Sequence, residues 1–388
     1  MKAHVNSLPP SALDRTVAFI VRRNWESKPG GDTDLAKKFS SMLNSRGWNT
    51  TVCTRSELTA RYSAAFVFNL DRPSESYQDM IECKKFRIPY VLYPLHHRQR
   101  DMRSFLKNGT SGIHAWVAWA VGNDPIMYEQ VTALARFLNT REHSSFRAVT
   151  NPRSCYRSLI ENATFTAFSC EDEVAAVESD FSITFARSIV LPHAPIDFGE
   201  ITPSAVKSTS QGPVICAARI EPRKNQLSVL KLASEMPDVD FHFYGGANDL
   251  HADYVKSFHE EIDKLANART FGHVPLDRLI EAMSGASAYI SLSWCEVVSL
   301  VDFLAVELAR GCVLSTGSYL TGLLSTSPRS SVSFVDPKSD DIQNALRGQL
   351  GTMRERVHLP SSWSASAVTT TLENLLHQTI TQTAEARF

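Results

Sequence analysis

The sequence lacks an apolar run long enough to cross a membrane. A spanning helix needs about 20 consecutive apolar residues, and every hydrophobic run here is interrupted well before that length. The polar start of the chain also lacks the apolar core of a secretory signal. We therefore expect a cytoplasmic protein.

Paired cysteines are also missing. The seven cysteines are odd in number and widely scattered, and none belongs to a Cys-x-x-Cys pair. This pattern argues against a disulfide framework and against a zinc site of the usual ligand spacing. We predict reduced thiols that are mostly buried.

Neither sign of charge dominates, since 40 Lys and Arg face 41 Asp and Glu. The basic excess that marks an obligate nucleic-acid-binding protein is absent. No Gly-x-Gly-x-x-Gly follows a predicted strand, so the dinucleotide-binding fingerprint is absent as well. With 43% hydrophobic and 21% charged residues, the composition is that of an ordinary globular protein.

The chain is long enough for two domains, because 388 residues exceed what one ordinary hydrophobic core covers. Short β-branched runs alternate with longer amphipathic stretches, which is typical of β-α units around a parallel sheet. We predict an α/β fold with two Rossmann-like parallel-sheet domains facing each other across a cleft. Ligands in such folds bind beyond the carboxyl ends of the strands.

Apolar runs and turn signals give the boundaries of these domains. The predicted strands are 16–22, 49–53, 64–69, 89–93, 163–168, 214–218, 239–244, 288–292, 313–315 and 332–335. A stretch rich in Ser, Thr, Pro and Gly at 199–213 indicates a linker. We therefore place a first domain at 1–198 and a second at 214–360, followed at 361–388 by a helix that packs back on the first domain.

The segment from Ala217 to Gln226 carries the most specific pattern. Arg219 and Lys224 are fixed cations at the junction of a predicted strand and a predicted helix. A helix amino terminus and two nearby cations favour binding of a diphosphate group. Charge alone does not distinguish such a site from a solvated turn.

This segment resembles the Arg and Lys element of retaining glycosyltransferase family 4, a family with the GT-B fold, and Asn225 also fits that element. The resemblance implies that Arg219 and Lys224 bind the diphosphate of a nucleotide-sugar donor and stabilise its charge as it departs. It also implies that the second domain binds the nucleotide sugar, while the first lies on the acceptor side.

Several glycine-containing turns match the family in the same order along the chain. Gly30 and Gly31 follow the first strand, where glycines let the backbone approach a phosphate closely. Gly245 ends the second strand of the second domain, and His273 and Val274 lie in the next such turn. The resemblance implies that these residues line the donor site, with the backbone around Val274 facing the nucleobase. Each glycine is also compatible with a plain turn.

Two glutamates resemble the family's paired-glutamate element. The resemblance implies that Glu296 holds the donor sugar, that Glu307 holds the ribose from a helix start, and that Ser299 and Leu300 also contact the donor. Ten residues separate the two glutamates, which is longer than the family's spacing. If the extra residues are helical, both carboxylates can face the cleft; if they form a loop, one assignment fails. Asp302 competes with Glu296 for the first role.

A basic run follows the fourth predicted strand. The resemblance implies that His96 or His97 orients a sugar hydroxyl or assists proton transfer at the cleft. Arg98, Arg100 and Arg103 form either a solvated helix face or a contact for a phosphate-bearing acceptor. A lipid-linked glycan is one such acceptor, and peripheral contact with the inner face of a membrane belongs to the same hypothesis.

The implied function is retaining, metal-independent transfer of a hexose from a nucleotide-diphosphate sugar to a hydroxyl of a glycan, a glycolipid or another acceptor. The Asp-x-Asp triplets at 32–34 and 238–240 do not follow strands as a metal-bridging pair would, so we expect no catalytic metal. We expect no cofactor besides the donor substrate. The same scaffold also admits a nucleotide-sugar epimerase, a catalytically lapsed sugar-nucleotide-binding protein, or a transferase acting on modified nucleic-acid bases. The charge balance argues against nucleic acid.

Overall fold

The structure is a computed structural model that describes residues 15–23, 25–26, 30–140, 150–193, 212–325, 331–350, 352 and 360–385. The chain divides into two units. Unit 1 comprises Met1–His96, Glu129–Ala194 and Pro360–Phe388, and unit 2 comprises His97–Tyr128 and Pro195–Leu359. The linker predicted at 199–213 lies almost entirely outside the described residues.

Strands and helices alternate along both units. The strands are β1 (Thr16–Ile20), β2 (Asn49–Cys53), β3 (Ala64–Phe68), β4 (Tyr90–Tyr93), β5 (Phe165–Phe168), β6 (Ser188–Val190), β7 (Val214–Ala217), β8 (Phe241–Tyr244), β9 (Ala268–Thr270), β10 (Ala288–Ser291), β11 (Cys312–Ser315) and β12 (Val332–Val335). The helices are α1 (Gly31–Asn44), α2 (Pro73–Lys85), α3 (Gln99–Asn108), α4 (Gly112–Ala120), α5 (Pro125–Thr140), α6 (Pro152–Asn162), α7 (Glu171–Phe181), α8 (Gln226–Glu235), α9 (Ala252–Ile262), α10 (Leu276–Ser284), α11 (Leu300–Leu308), α12 (Leu320–Ser325), α13 (Ile342–Gln349) and α14 (Ala365–Glu385).

Unit 1 contains a six-stranded parallel sheet in the order β2-β1-β3-β4-β5-β6. Val17 of β1 lies opposite Thr50 of β2 and Ala64 of β3, which fixes the register at the centre of the sheet. Every residue of β3 is buried. This explains its uninterrupted Ala-Ala-Phe-Val-Phe sequence, because a strand covered on both faces has no polar side to alternate with.

The carboxyl-terminal helix α14 belongs to unit 1. Its buried face is formed by Val368, Leu372, Leu375 and Leu376, which repeat at intervals of three or four residues and join the core around β1 and α1. Since these side chains complete the core, the last helix of the chain stabilises the first sheet.

Unit 2 contains a second six-stranded parallel sheet, in the order β12-β11-β10-β7-β8-β9. β7 and β10 are central neighbours, with Val214 opposite Ala288 and Ile215 opposite Tyr289. The predicted α/β class with two parallel-sheet domains is confirmed. All seven cysteines are buried free thiols, as predicted. In the described part of the chain, no helix combines the length and apolar character needed to cross a membrane.

Residues 97–128 depart from the predicted domain boundaries. The boundaries predicted from sequence put these residues in the first domain, whereas the structure groups them with unit 2. The physical reason is packing against loops of unit 2: the sulfur atoms of Met102 and Cys295 are 3.3 Å apart, and Arg98 lies 4.3 Å above the ring of Tyr319. Chain order alone does not show these contacts.

The packing of α14 predicts a specific loss of stability. Leu372→Ala should lower the free energy of unfolding by about 2–5 kcal/mol, because it removes buried methyl groups and leaves a cavity in the unit 1 core. Gln378→Ala, at an exposed position of the same helix, should change it little. Urea unfolding measures both; equal stabilities for the two variants would contradict this packing.

Candidate functional site

Two central strands of unit 2 bring the main candidate residues together. β7 ends at Ala217 and is followed by a 3-10 turn at Pro222–Lys224, and β10 ends at Ser291, shortly before Glu296. Because β7 and β10 are parallel neighbours, the loops at their carboxyl ends lie side by side. This sheet edge is the place where α/β folds bind ligands.

Hydrogen bonds fasten these two loops to each other. The Trp294 amide donates to the Arg223 carbonyl at 2.9 Å, and the Asn225 side-chain amide donates to the Leu292 carbonyl at 3.2 Å. Asn225 has a φ of 56°, a left-handed conformation that asparagine adopts more readily than most residues. The turn therefore ends in a fixed geometry, with Lys224 beside the β10 loop.

Lys224 and Glu296 form an ion pair across these loops. Their side chains are only 15% and 9% exposed, so water screens the pair weakly. Burial alone would raise the pKa of Glu296, but the Lys224 ammonium and the Arg223 guanidinium outweigh burial and lower it to about 2. Glu296 is therefore a carboxylate at neutral pH, and it accepts hydrogen bonds only.

Two arginines share a second buried carboxylate in the same turn. The guanidinium nitrogens of Arg219 and Arg223 lie 3.6 Å and 3.4 Å from the oxygens of Glu221. Burial opposes ionisation of Glu221, but Arg223 and Arg219 lower its pKa. With Lys224 and Glu296, the cluster holds three positive and two negative groups. Its positive excess favours an anionic ligand, and Arg219 is half-exposed and able to reach one.

His97 joins this cluster through Arg223. The Arg223 Nη1 donates to His97 Nε2 at 2.7 Å. Since a guanidinium has no acceptor, the His97 nitrogen must accept, which requires it to be unprotonated. The structure thus brings His97 to the cluster, but this nitrogen is occupied by Arg223.

Three residues of the cluster are not predicted from the sequence: Arg223, Glu221 and Asn248. Asn248 donates to Glu221 at 2.8 Å and is distant from it in sequence. A signal for Arg223 exists, since it is a third cation between Arg219 and Lys224. Sequence alone does not indicate which of the three cations is exposed.

Asp302 lies beneath the cluster rather than in it. It is buried, and it accepts from the Tyr289 hydroxyl at 2.7 Å and from the Ser291 hydroxyl at 3.4 Å. Burial raises its pKa to about 6, and the negative charge of Glu296 adds to that shift. The Asp302 carboxylate thus accepts hydrogen bonds from two side chains of β10, whereas Glu296 pairs with Lys224.

The segment between Glu296 and Glu307 is helical only in part. Glu296 forms an extended bridge with Ser318, and α11 begins at Leu300 because the Ser299 hydroxyl caps it by accepting from the Asp302 amide. The expectation that Glu307 lies at a helix start is therefore wrong: it lies in the last turn of α11. Ser299 and Leu300 occupy the helix start instead.

The predicted nucleotide contacts lie near the ends of β8 and β9. Gly245 has a φ of 140°, and a Cβ there would clash with the Ala218 carbonyl, so only glycine lets the β7 and β8 loops approach this closely. His273 is exposed and Val274 is half-buried, in the turn that precedes α10. Both are accessible to a ligand.

His96 has an environment that contradicts a catalytic role. It belongs to unit 1, is buried, and has Asp71 at 2.6 Å from Nδ1 and Asp180 at 2.9 Å from Nε2. Burial disfavours the charged ring, but Asp71 and Asp180 prevail and raise the pKa of His96 to about 9. The ring is an imidazolium clamped between two carboxylates, so both of its nitrogens are engaged within unit 1.

The glycine loop also belongs to unit 1. Gly30 precedes α1 in an extended conformation, and Gly31 is the first residue of the helix. A Cβ at Gly30 would clash with the side chain of Arg22, which lies 3.7 Å from Asp32. A donor contact by Gly30 and Gly31 stays a prediction.

The three arginines of the basic run differ in exposure. Arg98 is mostly buried over Tyr319 and pairs with Asp101 at 3.6 Å. Arg100 and Arg103 on α3 are 74% and 55% exposed. Arg100 pairs with Asp101 at 3.2 Å, and Arg103 lies 3.9 Å from Asp124, but both guanidinium groups are exposed enough to reach a large anionic surface.

The described residues offer no cluster of metal ligands. Within the described part of the chain, no three or more His, Cys, Asp and Glu side chains are arranged to hold a metal ion. The two Asp-x-Asp triplets have cationic neighbours, with Asp32 beside Arg22 and Asp238 at 3.1 Å from Arg347.

Comparisons with known proteins support the fold. No protein-family model matches the sequence, and no curated protein matches it. Sucrose-phosphate synthase from Thermosynechococcus elongatus is similar in structure, with 12% identity, a TM-score of 0.64, and coverage of 94% of this chain and 98% of that chain. Anabaena HepE in complex with UDP and glucose has 13% identity, a TM-score of 0.55, and coverage of 96% of this chain and 99% of that chain. A trehalose-6-phosphate synthase, from work on bisubstrate glycomimetics and enzymatic glycosyl transfer with retention, has 10% identity, a TM-score of 0.54, and coverage of 96% of this chain and 97% of that chain.

These similarities extend over nearly the whole chain. At 10–13% identity they establish the architecture and not the activity. The chain has the GT-B fold, with two six-stranded parallel sheets flanked by helices.

The clamped imidazolium predicts a pH-dependent stability for unit 1. The folded-state pKa of about 9 exceeds the ordinary value of 6.5, so the contribution of His96 is fully present below pH 6.5 and is lost as the pH rises through 9. Between these values the unfolding free energy of the wild type, relative to His96→Gln, should fall by about 1.4 kcal/mol per pH unit.

Urea unfolding at several pH values across this window measures the difference. His377→Gln, which removes a half-buried histidine from the same unit, is the control and should keep the wild-type slope. Parallel pH profiles for the wild type and His96→Gln would contradict the clamp.

Proposed function

We propose that this protein is a retaining glycosyltransferase that moves a hexose from a nucleotide-diphosphate sugar to a hydroxyl of a glycan, a glycolipid or another acceptor, without a catalytic metal. The observation that carries the proposal is the cation cluster of Arg219, Arg223 and Lys224 at the carboxyl edge of the unit 2 sheet, with Glu296 held against Lys224. A nucleotide-sugar donor needs cations for its diphosphate and, next to them, a hydrogen-bond acceptor for its sugar hydroxyls.

The cluster suits a departing diphosphate. Negative charge grows on the phosphate oxygen as the bond to the sugar breaks, and cations fixed in advance stabilise that charge without reorganising. Lys224 is held in place by Glu296, and Arg223 is held by Glu221 and His97. Arg219, with its exposed guanidinium, is the most accessible of the three.

The proposed reaction takes place on one face of the sugar. The acceptor oxygen forms a bond to the anomeric carbon while the bond from that carbon to the phosphate oxygen breaks. The acceptor hydroxyl proton passes to the departing phosphate, so no protein base is required. This agrees with the two candidate histidines, since His96 is clamped by carboxylates and His97 accepts from Arg223.

Glu296 is the proposed contact for the donor sugar. Its depressed pKa keeps it a carboxylate, which accepts hydrogen bonds from sugar hydroxyls. Asp302 is the weaker candidate, because Tyr289 and Ser291 already donate to it in the buried layer below.

The nucleotide is proposed to extend from the cluster toward the ends of β8 and β9. Gly245 permits close backbone approach there, and Val274 offers main-chain groups to the base. The start of α11 at Ser299 and Leu300 adds the positive end of a helix dipole, which favours phosphate. The last-turn position of Glu307 gives no support to a ribose contact.

The structural neighbours are consistent with this chemistry. HepE was solved with UDP and glucose, and the trehalose-6-phosphate synthase was solved to study transfer with retention. At their low identity these proteins add support to the proposal, while its residues come from the cluster itself.

Removing the lysine charge should slow donor turnover strongly. Lys224→Met keeps a similar side-chain length but removes the ammonium, and we expect the rate of donor cleavage to fall by about a hundredfold or more. Incubation with UDP, GDP, ADP and TDP sugars, with water as the acceptor, followed by mass spectrometry, measures release of the nucleoside diphosphate. NMR of the released sugar shows whether its anomeric configuration is retained.

Lys231→Met is the matched control, since Lys231 is 80% exposed on the neighbouring α8. It should turn over donor at the wild-type rate. Conversion of the donor sugar to an epimer would overturn the proposal, as would cleavage of equal rate in both variants. Donor hydrolysis by the wild type that Lys224→Met lacks would exclude a catalytically lapsed binding protein. An unchanged melting temperature of Lys224→Met excludes misfolding as the cause.

A further inference from the structure

Helix α4 exposes most of its apolar side chains. Ile113, Trp116 and Trp119 are 74%, 64% and 73% exposed, while Ala118 on the opposite side is buried. Residues three positions apart lie on one side of a helix, so these three large side chains form one face. This apolar face contains two of the six tryptophans of the chain.

Such exposure is unusual for tryptophan, which is highly buried on average in folded proteins. Met127, at the start of α5, is also exposed. A hydrogen bond of 2.8 Å between His114 Nδ1 and the Tyr128 hydroxyl ties this part of α5 to α4. Neighbouring exposed apolar side chains of this kind indicate an interaction surface for a protein or a membrane.

The neighbouring helix α3 presents a basic stripe. Arg100, Arg103 and Lys107 are exposed at spacings of three and four residues, which places them along one side of α3. α3 packs against α4, and Arg103 reaches to 3.9 Å from Asp124, just beyond the end of α4. The basic stripe is therefore close to the apolar face. Residues 97–128 hold four Lys and Arg against two Asp, so the segment is positive overall.

Tryptophans beside basic side chains fit a lipid surface. Tryptophan has an apolar body and a polar N–H, and it concentrates where acyl chains meet headgroups. Lys and Arg next to such a face bind anionic headgroups.

A second copy of the chain fits this surface less well. A symmetric dimer places the same patch of both copies in contact, which would bring two basic stripes together. The apolar face is also small, since nine helical residues span about 14 Å. A stable dimer buries about 800 Å² on each partner.

We propose that α3 and α4 dock on the surface of an anionic lipid bilayer. Trp116 and Trp119 enter the headgroup region, and Arg100, Arg103 and Lys107 contact lipid phosphates. The docking does not depend on the proposed enzymatic activity. It has a consequence for it, because the same segment carries His97, which contacts Arg223 in the cation cluster. A lipid-linked acceptor would thus meet the protein at the membrane.

Vesicle co-sedimentation of the full chain tests the docking. We expect binding to vesicles of equal parts phosphatidylcholine and phosphatidylglycerol, weaker binding to phosphatidylcholine alone, and a decrease with added salt. Trp116→Ser with Trp119→Ser should reduce the partition coefficient by about tenfold or more. Arg100→Gln, Arg103→Gln and Lys107→Gln together should reduce the partition coefficient by about fivefold for each charge removed.

Ile81→Ser, at an exposed position on α2 of unit 1, is the control and should bind like the wild type. Absence of binding to the anionic vesicles would overturn the proposal, as would binding that the tryptophan variant retains. A wild-type dimer in analytical ultracentrifugation that the tryptophan variant converts to a monomer, without vesicle binding, would assign the face to a second copy instead. Donor cleavage in solution is measured separately, so failure of one proposal is distinguishable from failure of the other.

Discussion

Lys224 and Glu296 are joined by an ion pair whose side chains are mostly withdrawn from water. Withdrawing two charges from water costs several kcal/mol for each ion, and a buried pair regains that cost only with good geometry and further hydrogen bonds. Arg223 adds positive potential to Glu296, and Arg223 is in turn held by Glu221 and His97. Such a network stabilises the fold little, but it presents fixed charges where a ligand can use them.

The network depends on the order of strands in the unit 2 sheet. Lys224 and Glu296 are 72 positions apart in sequence and meet because β7 and β10 are adjacent and parallel. The loop after β11 further restricts the position of Glu296. The Glu296 amide donates to the Gly317 carbonyl at 3.0 Å, and a Cβ at Gly317 would clash with the Trp294 carbonyl. The position of Glu296 is therefore set by the adjacency of β7 and β10 and by the close approach of Gly317.

Local sequence patterns predict the fold better than the site. Buried strands such as β3 are predicted because their apolar runs are continuous, whereas β6 and β9, of three residues each, are missed because such short runs give no periodic signal. Arg219, Lys224 and Glu296 are identified and do lie in one cluster. The environment of His96 is not predicted, because Asp71 and Asp180 reach it from distant parts of the chain. The exposure of Trp116 is not predicted from the sequence either, since it depends on which surfaces the rest of the fold leaves uncovered.

The central claim is that the cation cluster binds the diphosphate of a sugar donor. A thermal-shift screen with UDP, GDP, ADP and TDP sugars tests it most directly, because a ligand that binds only the native state raises stability by RT ln(1 + [L]/Kd). We expect at least one of these donors to raise the melting temperature of the wild type and of Lys231→Met, and to have little effect on Lys224→Met. No shift from any donor, or the same shift in Lys224→Met, would contradict the account.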